Sequence, residues 1–172
     1  KSNRLRRIEV TIEELLSQPE RIKDTLNAEE DKIKLVARRI AEINPNRILI
    51  AGCGDSFYSG IALQRFLEEC FGTPVEAHQS FEVARYCHGR ADRDSVLFAL
   101  SMTGTTQSTL ECVDTANTNG CYTVGITSRV DSILADKASD VIQIHASREG
   151  WPTQSSTCTM AVLCQTGIEY SR

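Results

Sequence analysis

The chain has 172 residues, 41% of them hydrophobic, and its 19 Lys and Arg against 23 Asp and Glu give a formal net charge of -4. This length and apolar content suffice for one well-packed α/β domain, and dispersed basic residues in a mildly acidic chain do not indicate a nucleic-acid partner. No apolar run approaches the roughly 20 residues of a membrane span, so we expect no membrane association and a cytoplasmic location.

Helical segments precede the first predicted strand, and we interpret residues 1–45 as an N-terminal helical extension. Apolar residues recur at helical spacing through residues 11–26, but Pro19 interrupts the pattern, so two short helices are predicted to meet there. A further helix is predicted for residues 28–43. The main domain is predicted to occupy residues 46–172.

The first predicted strand runs into a glycine-rich turn, since residues 47–56 read R-I-L-I-A-G-C-G-D-S. Its apolar residues do not alternate with polar ones, as expected of a strand covered on both faces. The two glycines let a ligand approach the backbone, and the N-terminus of the following helix, predicted for residues 57–70, favours an anion. Asp55 and Ser56 are residue types that cap helices, and a Ser hydroxyl also donates to phosphate oxygens.

From residue 47 onward, strand-like and helix-like runs alternate. The predicted strands are 48–51, 75–77, 95–100, 122–126 and 141–144, and the predicted helices are 57–70, 80–86, 106–118, 133–135 and 155–170. This alternation predicts an α/β fold with three α-β-α layers and a five-stranded parallel sheet in the flavodoxin-like order 2-1-3-4-5. Ligands of such sheets bind at the carboxyl ends of the strands, here between strands 1 and 3.

The third predicted strand ends in a hydroxyl-rich turn, because residues 101–106 read S-M-T-G-T-T. Hydroxyls and backbone N–H groups can bind a phosphate dianion without a charged side chain. The alternative is that these side chains only cap the next helix and are otherwise solvated. We predict that the residues binding the phosphate are Ser56, Ser101, Met102, Thr103 and Thr106.

Neither turn matches a nucleotide-cofactor motif. The fingerprint G-x-G-x-x-G needs a third glycine where the chain has Phe57, and no G-x-x-x-x-G-K-[ST] occurs. A flavin carrier would need aromatic residues at the loops, for which only Phe57 and Trp151 qualify. The seven cysteines form no C-x-x-C pair, so we interpret them as reduced core residues and expect no metal and no cofactor.

Together, G-C-G-D-S and S-M-T-G-T-T resemble the signature loops of the sugar isomerase (SIS) domain, G-x-G-x-S after strand 1 and S-x-S-G-x-[ST] after strand 3. Residues 154–158 resemble the segment V-A-[ST]-[ST]-K that opens the last helix of the family, and residues 80–86 are similar to its S-E-F-x-x-R-Y. Residues 14–26 resemble the start of the isomerase part of glutamine:fructose-6-phosphate aminotransferase.

The resemblance implies a sugar phosphate as ligand and a reaction that moves a proton between C1 and C2 of the open-chain sugar. The residues predicted to contact the sugar are Gly54, Asp55, Ser156 and Thr157. Proton transfer needs a general base, and the candidate in this chain is Glu149, on the loop before the last helix. The alternative interpretation of Glu149 is a solvated carboxylate beside Arg148.

The chain departs from the family pattern at positions that affect the mechanism. Met102, Thr103 and Thr105 stand where the aminotransferase loop usually has Gln, Ser and Glu, and Cys158 stands where the family has Lys. These differences favour an aldose-ketose isomerase or deglycase acting on (amino)sugar phosphates over the aminotransferase itself. The alternative function is a non-catalytic sugar-phosphate sensor.

The resemblance further implies a second SIS domain that carries the base, so this chain would be the first half of a double-SIS protein. Apolar residues on the first helices and on the last helix also exceed what one face of a sheet needs, which predicts contact with a homodimer partner or a second SIS domain. On the last helix these residues are Met160, Val162, Leu163 and Ile168.

Overall fold

A five-stranded parallel sheet organises the computed structural model, which describes residues 3–86 and 89–172. The strands are β1 (Arg47–Gly52), β2 (Val75–Gln79), β3 (Ser95–Leu100), β4 (Tyr122–Thr127) and β5 (Asp140–Gln143). Their order is β2-β1-β3-β4-β5 and every neighbouring pair is parallel, which confirms the predicted topology. The predicted strand bounds are correct to within two residues.

Helices cover both faces of the sheet. They are α1 (Asn3–Leu16), α2 (Gln18–Ala28), α3 (Glu30–Ile43), α4 (Asp55–Phe71), α5 (Ser80–Tyr86), α6 (Gln107–Thr118), α7 (Ile133–Lys137) and α8 (Gln154–Tyr170). One apolar cluster joins the sheet to α3, α4 and α8, and another joins it to α5, α6 and α7. The three-layer architecture is therefore confirmed, as is the helix break next to Pro19.

The inner strands β1 and β3 supply both clusters because their side chains alternate between the faces. Ile48 and Ile50 of β1 belong to the cluster under α4 and α8, whereas Leu49 and Ala51 belong to the cluster under α5 and α6. All four are almost completely buried. An uninterrupted apolar run in the sequence is thus the signature of a strand with no solvent-exposed face.

The helix α8 packs closely against α4. At Gly167 an added Cβ would lie 3.0 Å from Leu67 and 3.1 Å from Cys70 of α4, so this glycine allows the two helices to approach. Val162 and Leu163 of α8 are buried within the chain itself. Since α4 and α8 also both start at the carboxyl edge of the sheet, their first turns become neighbours.

The cysteines of the described residues lie in or near the core. Cys112, Cys121 and Cys158 are buried, and Cys53, Cys70 and Cys164 are partly buried and free, whereas Cys87 lies outside the described residues. Burial raises the pKa of the Cys121 thiol to about 11, which keeps that thiol protonated at neutral pH.

A buried carboxylate ties α1 to the loop between β5 and α8. Glu14 is only 4% exposed, and its carboxylate accepts hydrogen bonds from the Ser147 hydroxyl and the Glu149 N–H, both at 2.9 Å, and from the Gly150 N–H at 3.3 Å. Thr11, one helical turn earlier, accepts from the Trp151 N–H at 3.0 Å. These contacts hold residues 147–151 in place from one side.

We expect Glu14→Ala to lower the free energy of unfolding by about 2 to 3 kcal/mol, because it leaves three donors without their shared acceptor. The measurement is urea denaturation followed by circular dichroism. Glu13→Ala provides the control, since the neighbouring side chain is exposed and its loss should cost less than about 0.5 kcal/mol. Equal losses in both variants would contradict the anchoring role of Glu14.

Candidate functional site

Each of the five parallel strands leads into a helix at the carboxyl edge of the sheet, and three of these connections form the candidate site: β1 into α4, β3 into α6 and β5 into α8. The first backbone N–H groups of a helix have no partner within the helix and carry partial positive charge. The switch point of the sheet lies between β1 and β3, as predicted from the strand order. This edge therefore offers an electropositive backbone environment.

The turn after β1 differs from the prediction in where its helix begins. Gly54, not Asp55 or Ser56, is the N-cap of α4, with φ 55° and ψ -123°. An L side chain rarely adopts this conformation, so the glycine allows the helix to start two residues earlier than predicted. Asp55 and Ser56 consequently lie in the first turn of α4 and project from it.

The hydroxyls of the turn after β3 are paired with one another. Ser101 and Thr106 contact through their hydroxyl oxygens at 2.9 Å, and Thr103 and Thr105 do so at 3.0 Å. Ser101 is nearly buried and its oxygen also accepts from the Gly104 N–H at 3.2 Å. Because one proton of each pair forms the mutual bond, the second hydroxyl proton of each pair remains available to an acceptor.

Gly104 fixes the shape of this turn. Its φ is +66°, and an added Cβ would lie 2.0 Å from the Ser132 hydroxyl oxygen. Its N–H donates to the Ser101 carbonyl and its own carbonyl accepts from the Leu134 N–H, both at 3.0 Å. The turn is thus packed against the start of α7, which leaves Met102 and Thr103 at its outer end.

A narrow slot lies between the first turns of α4 and α8. Its lining residues are Asp55, Ser56, Ser59, Met102, Arg148, Ser155, Ser156 and Thr159. The slot encloses about 10 Å³, which is close to the space of a single water molecule. Three hydroxyls of this lining make no hydrogen bond within the described residues 3–86 and 89–172. They belong to Ser56, Ser155 and Ser156.

The slot unites some of the predicted site residues and leaves others outside its lining. Residues from all three loops take part, since Ser56 and Asp55 follow β1, Met102 follows β3 and Ser156 follows β5. The predicted residues that do not line it are Gly54, Ser101, Thr103, Thr106 and Thr157. The Thr157 hydroxyl instead donates to the Gln154 carbonyl at 3.2 Å.

Arg148 is a lining residue that the sequence did not indicate as functional. Its guanidinium donates to the Asp55 carboxylate at 3.3 Å, which connects the loop before α8 with the first turn of α4. Both side chains are about half exposed. The two partners are 93 positions apart, so no local pattern in the sequence reveals the pair.

Glu149, the predicted general base, lines a different cleft. This cleft of about 460 Å³ lies between α1, α2 and the loop before α8, and its lining includes Glu13, Arg21, His145 and Gln154. Glu149 itself is exposed, and its N–H is held by Glu14. The slot and the cleft therefore lie at different parts of the same loop.

In residues 3–86 and 89–172, no three His, Cys, Asp or Glu side chains are grouped as a metal ion would require. Within the same ranges no helix is both long and apolar enough to cross a membrane. The chemistry that the slot offers is hydrogen bonding by hydroxyls and backbone N–H groups, together with one guanidinium and one carboxylate.

A comparison with protein families matches residues 43–167 to the SIS domain. This match spans most of the chain, and the chain belongs to the SIS domain family, as the two loops predicted. Among curated proteins, glutamine-fructose-6-phosphate aminotransferase of Clostridium tetani is 27% identical over 146 residues, which cover 80% of this chain and 24% of that protein. The chain thus spans about a quarter of the length of this relative.

Solved structures share the fold. The C-terminal domain of glucosamine-fructose-6-phosphate aminotransferase from Francisella tularensis is 18% identical with a TM-score of 0.81, and the match covers 94% of this chain and 47% of that one. The NanR protein of Vibrio vulnificus, complexed with ManNAc-6P, is 17% identical with a TM-score of 0.67, over 89% of this chain and 59% of that one. At these identities the likeness establishes the architecture.

We expect Gly104→Ala to destabilise the protein by about 2 to 4 kcal/mol, because the Cβ adds a steric clash with Ser132 to the cost of a left-handed conformation. Gly72→Ala is the matched control, since Gly72 has a similar φ of +64° and nothing within 4 Å of its Cβ position. This control should lose only about 1 to 2 kcal/mol. Thermal unfolding of both variants checks the difference, and equal losses would contradict the close packing of the turn.

Proposed function

We propose that this chain binds a sugar phosphate in the slot between α4 and α8, as part of an aldose-ketose isomerase or deglycase that acts on (amino)sugar phosphates. The observation that carries the proposal is the group of unpaired hydroxyls of Ser56, Ser155 and Ser156 at the starts of two helices. Hydroxyl donors combined with helix N-termini suit a phosphate dianion. The structural neighbour NanR, complexed with ManNAc-6P, supports the same ligand class.

In this proposal the phosphate binds between Ser56 and the turn of residues 101–106, and the sugar extends along the start of α8. The available proton of the Ser101–Thr106 pair would donate to one phosphate oxygen. The Thr103–Thr105 pair would donate in the same way from the exposed end of the turn. Ser156 then contacts the sugar.

Catalysis requires a base within reach of a carbon-bound proton, and the lining of the slot offers few side chains that could act as that base. Asp55 is the carboxylate among the lining residues, and its oxygen is engaged by Arg148. Glu149 lines the neighbouring cleft. We therefore propose that the residues of this chain bind and orient the sugar phosphate, and that a second SIS domain or a homodimer partner supplies the base.

A partner contact of this kind is supported by the surface of α1. Its apolar residues Leu5, Ile8, Ile12 and Leu15 form a stripe at helical spacing. All four side chains are substantially exposed. The partner surface that we propose is this stripe, since the residues Val162 and Leu163 of α8 are already covered by the chain itself. In this view residues 1–45 carry the contact and residues 46–172 carry the binding site.

We expect Ser56→Ala to weaken binding of glucosamine 6-phosphate by about tenfold or more, because it removes a hydrogen bond to a charged group. Isothermal titration calorimetry measures the dissociation constant. Ser171→Ala is the control, since its side chain is exposed at the end of α8. Unchanged affinity in Ser56→Ala would place the phosphate elsewhere.

The 172-residue chain should bind but not turn over its ligand. We expect no exchange of the C2 proton in deuterated water when the chain is saturated with fructose 6-phosphate or glucosamine 6-phosphate, because a base contributes a factor of about 10² to 10⁴ in rate. Proton NMR measures the exchange. Rapid exchange that disappears in Glu149→Gln would show that Glu149 is the base and that this chain is a complete catalyst.

The same measurement of C2 proton exchange distinguishes between the two candidate functions, an isomerase and a sensor. A protein that contains this chain together with its partner domain or subunit should exchange the C2 proton if the function is catalytic. Tight binding without exchange in that assembly would favour the sensor.

A further inference from the structure

Arg148 is the single cationic side chain among the described residues that line the slot. The remaining polar groups of the lining are hydroxyls and the Asp55 carboxylate. A dianionic phosphate that enters this space meets one charged group that attracts it and one that repels it. The position of Arg148 relative to Asp55 therefore sets how strongly the slot attracts an anion.

The ion pair is arranged so that it can exchange partners. The distance of 3.3 Å between the Arg148 guanidinium and the Asp55 carboxylate is longer than the roughly 2.7 to 2.9 Å of a strong charge-assisted hydrogen bond. Both side chains are about half exposed, so water screens their attraction. Neither group is locked by burial.

The small size of the slot favours such an exchange. The slot encloses about 10 Å³, roughly the space of one water molecule, so a movement of a lining residue would make room for a phosphate group. The hydroxyl residues lie on the first turns of α4 and α8, two helices that pack against each other near their C-terminal ends at Gly167. Arg148 is a long side chain on a loop, and its head group can turn away from Asp55.

We propose that Arg148 is an anion-binding residue of the slot, which leaves Asp55 and donates to a phosphate oxygen when the sugar phosphate binds. This inference rests on the proposed function. Asp55 is then a competitor of the ligand, because it holds the guanidinium in the empty slot and repels the incoming dianion. A planar guanidinium also donates two parallel hydrogen bonds to a phosphate, which an ammonium group cannot do.

The competition predicts opposite effects for the two partners of the ion pair. Arg148→Gln should weaken binding of glucosamine 6-phosphate and of inorganic phosphate by about tenfold or more, since a charge-assisted hydrogen bond is lost. Asp55→Asn should tighten both by about two- to fivefold, since the competing carboxylate becomes neutral and Arg148 is released. The affinity of Arg148→Lys should lie between those of Arg148→Gln and the unsubstituted chain, because lysine keeps the positive charge but lacks the two parallel N–H donors of a guanidinium.

The experiment is calorimetric titration of each variant with both ligands, accompanied by a thermal unfolding scan. Arg65→Gln is the matched control for the change in charge, because Arg65 lies on the same helix as Asp55, pairs with Glu68 and is almost fully exposed. It should change neither dissociation constant by more than about twofold. If Arg148→Gln unfolds, the direction in which Asp55→Asn changes the affinity for the two ligands decides the inference alone.

A bridge that merely holds the two loops together gives a different pattern. Both Asp55→Asn and Arg148→Gln would then weaken binding, and this result would overturn the inference while the proposed function stands. Unchanged affinity in both variants would overturn it as well. If the unsubstituted chain and Asp55→Asn bind neither ligand, the proposed function fails and Arg148 has no anion to bind.

Discussion

The close packing of α4 against α8 is the constraint on which the candidate site depends. Gly167 lets the two helices approach, and both start where their preceding strands end, so two hydroxyl-bearing first turns face each other. Neither turn would form a slot alone. A larger residue at position 167 would require α4 and α8 to shift at their C-terminal ends, where an added Cβ would lie 3.0 Å from Leu67.

The three loops that form the candidate site contribute to it in different ways. The turn after β1 places Asp55 and Ser56 in the first turn of α4, because Gly54 takes the unusual backbone conformation. The turn after β3 is internally hydrogen bonded and packed on α7, so its two hydroxyl pairs are held in place. The loop before α8 is held by side-chain contacts, with Glu14 on one side and Asp55 on the other. The slot thus combines hydroxyls on the first turns of two helices with one guanidinium from a loop.

The sequence predicted the strand order, because uninterrupted apolar runs and alternating helices allow few topologies, and it directed the search for a site to the carboxyl edge of the sheet. It also indicated Ser56 and Ser156 through the turns that contain them. It could not indicate Arg148 or Glu14, whose partners are 93 and at least 133 positions away. It missed the helix start at Asp55 because a residue's capping preference does not foresee the conformation that a neighbouring glycine adopts.

The contacts of Glu14 and Thr11 join the first helix to a loop near the other end of the sequence. Both residues lie on α1, the first helix, yet their partners in the loop before α8 lie 133 to 140 positions further along the chain. Closing such long loops comes late in folding, after local helices and neighbouring strands have formed. We therefore expect α1 to be the last helix to dock and the first to detach in native-state fluctuations, with faster amide hydrogen exchange than α4 or α8.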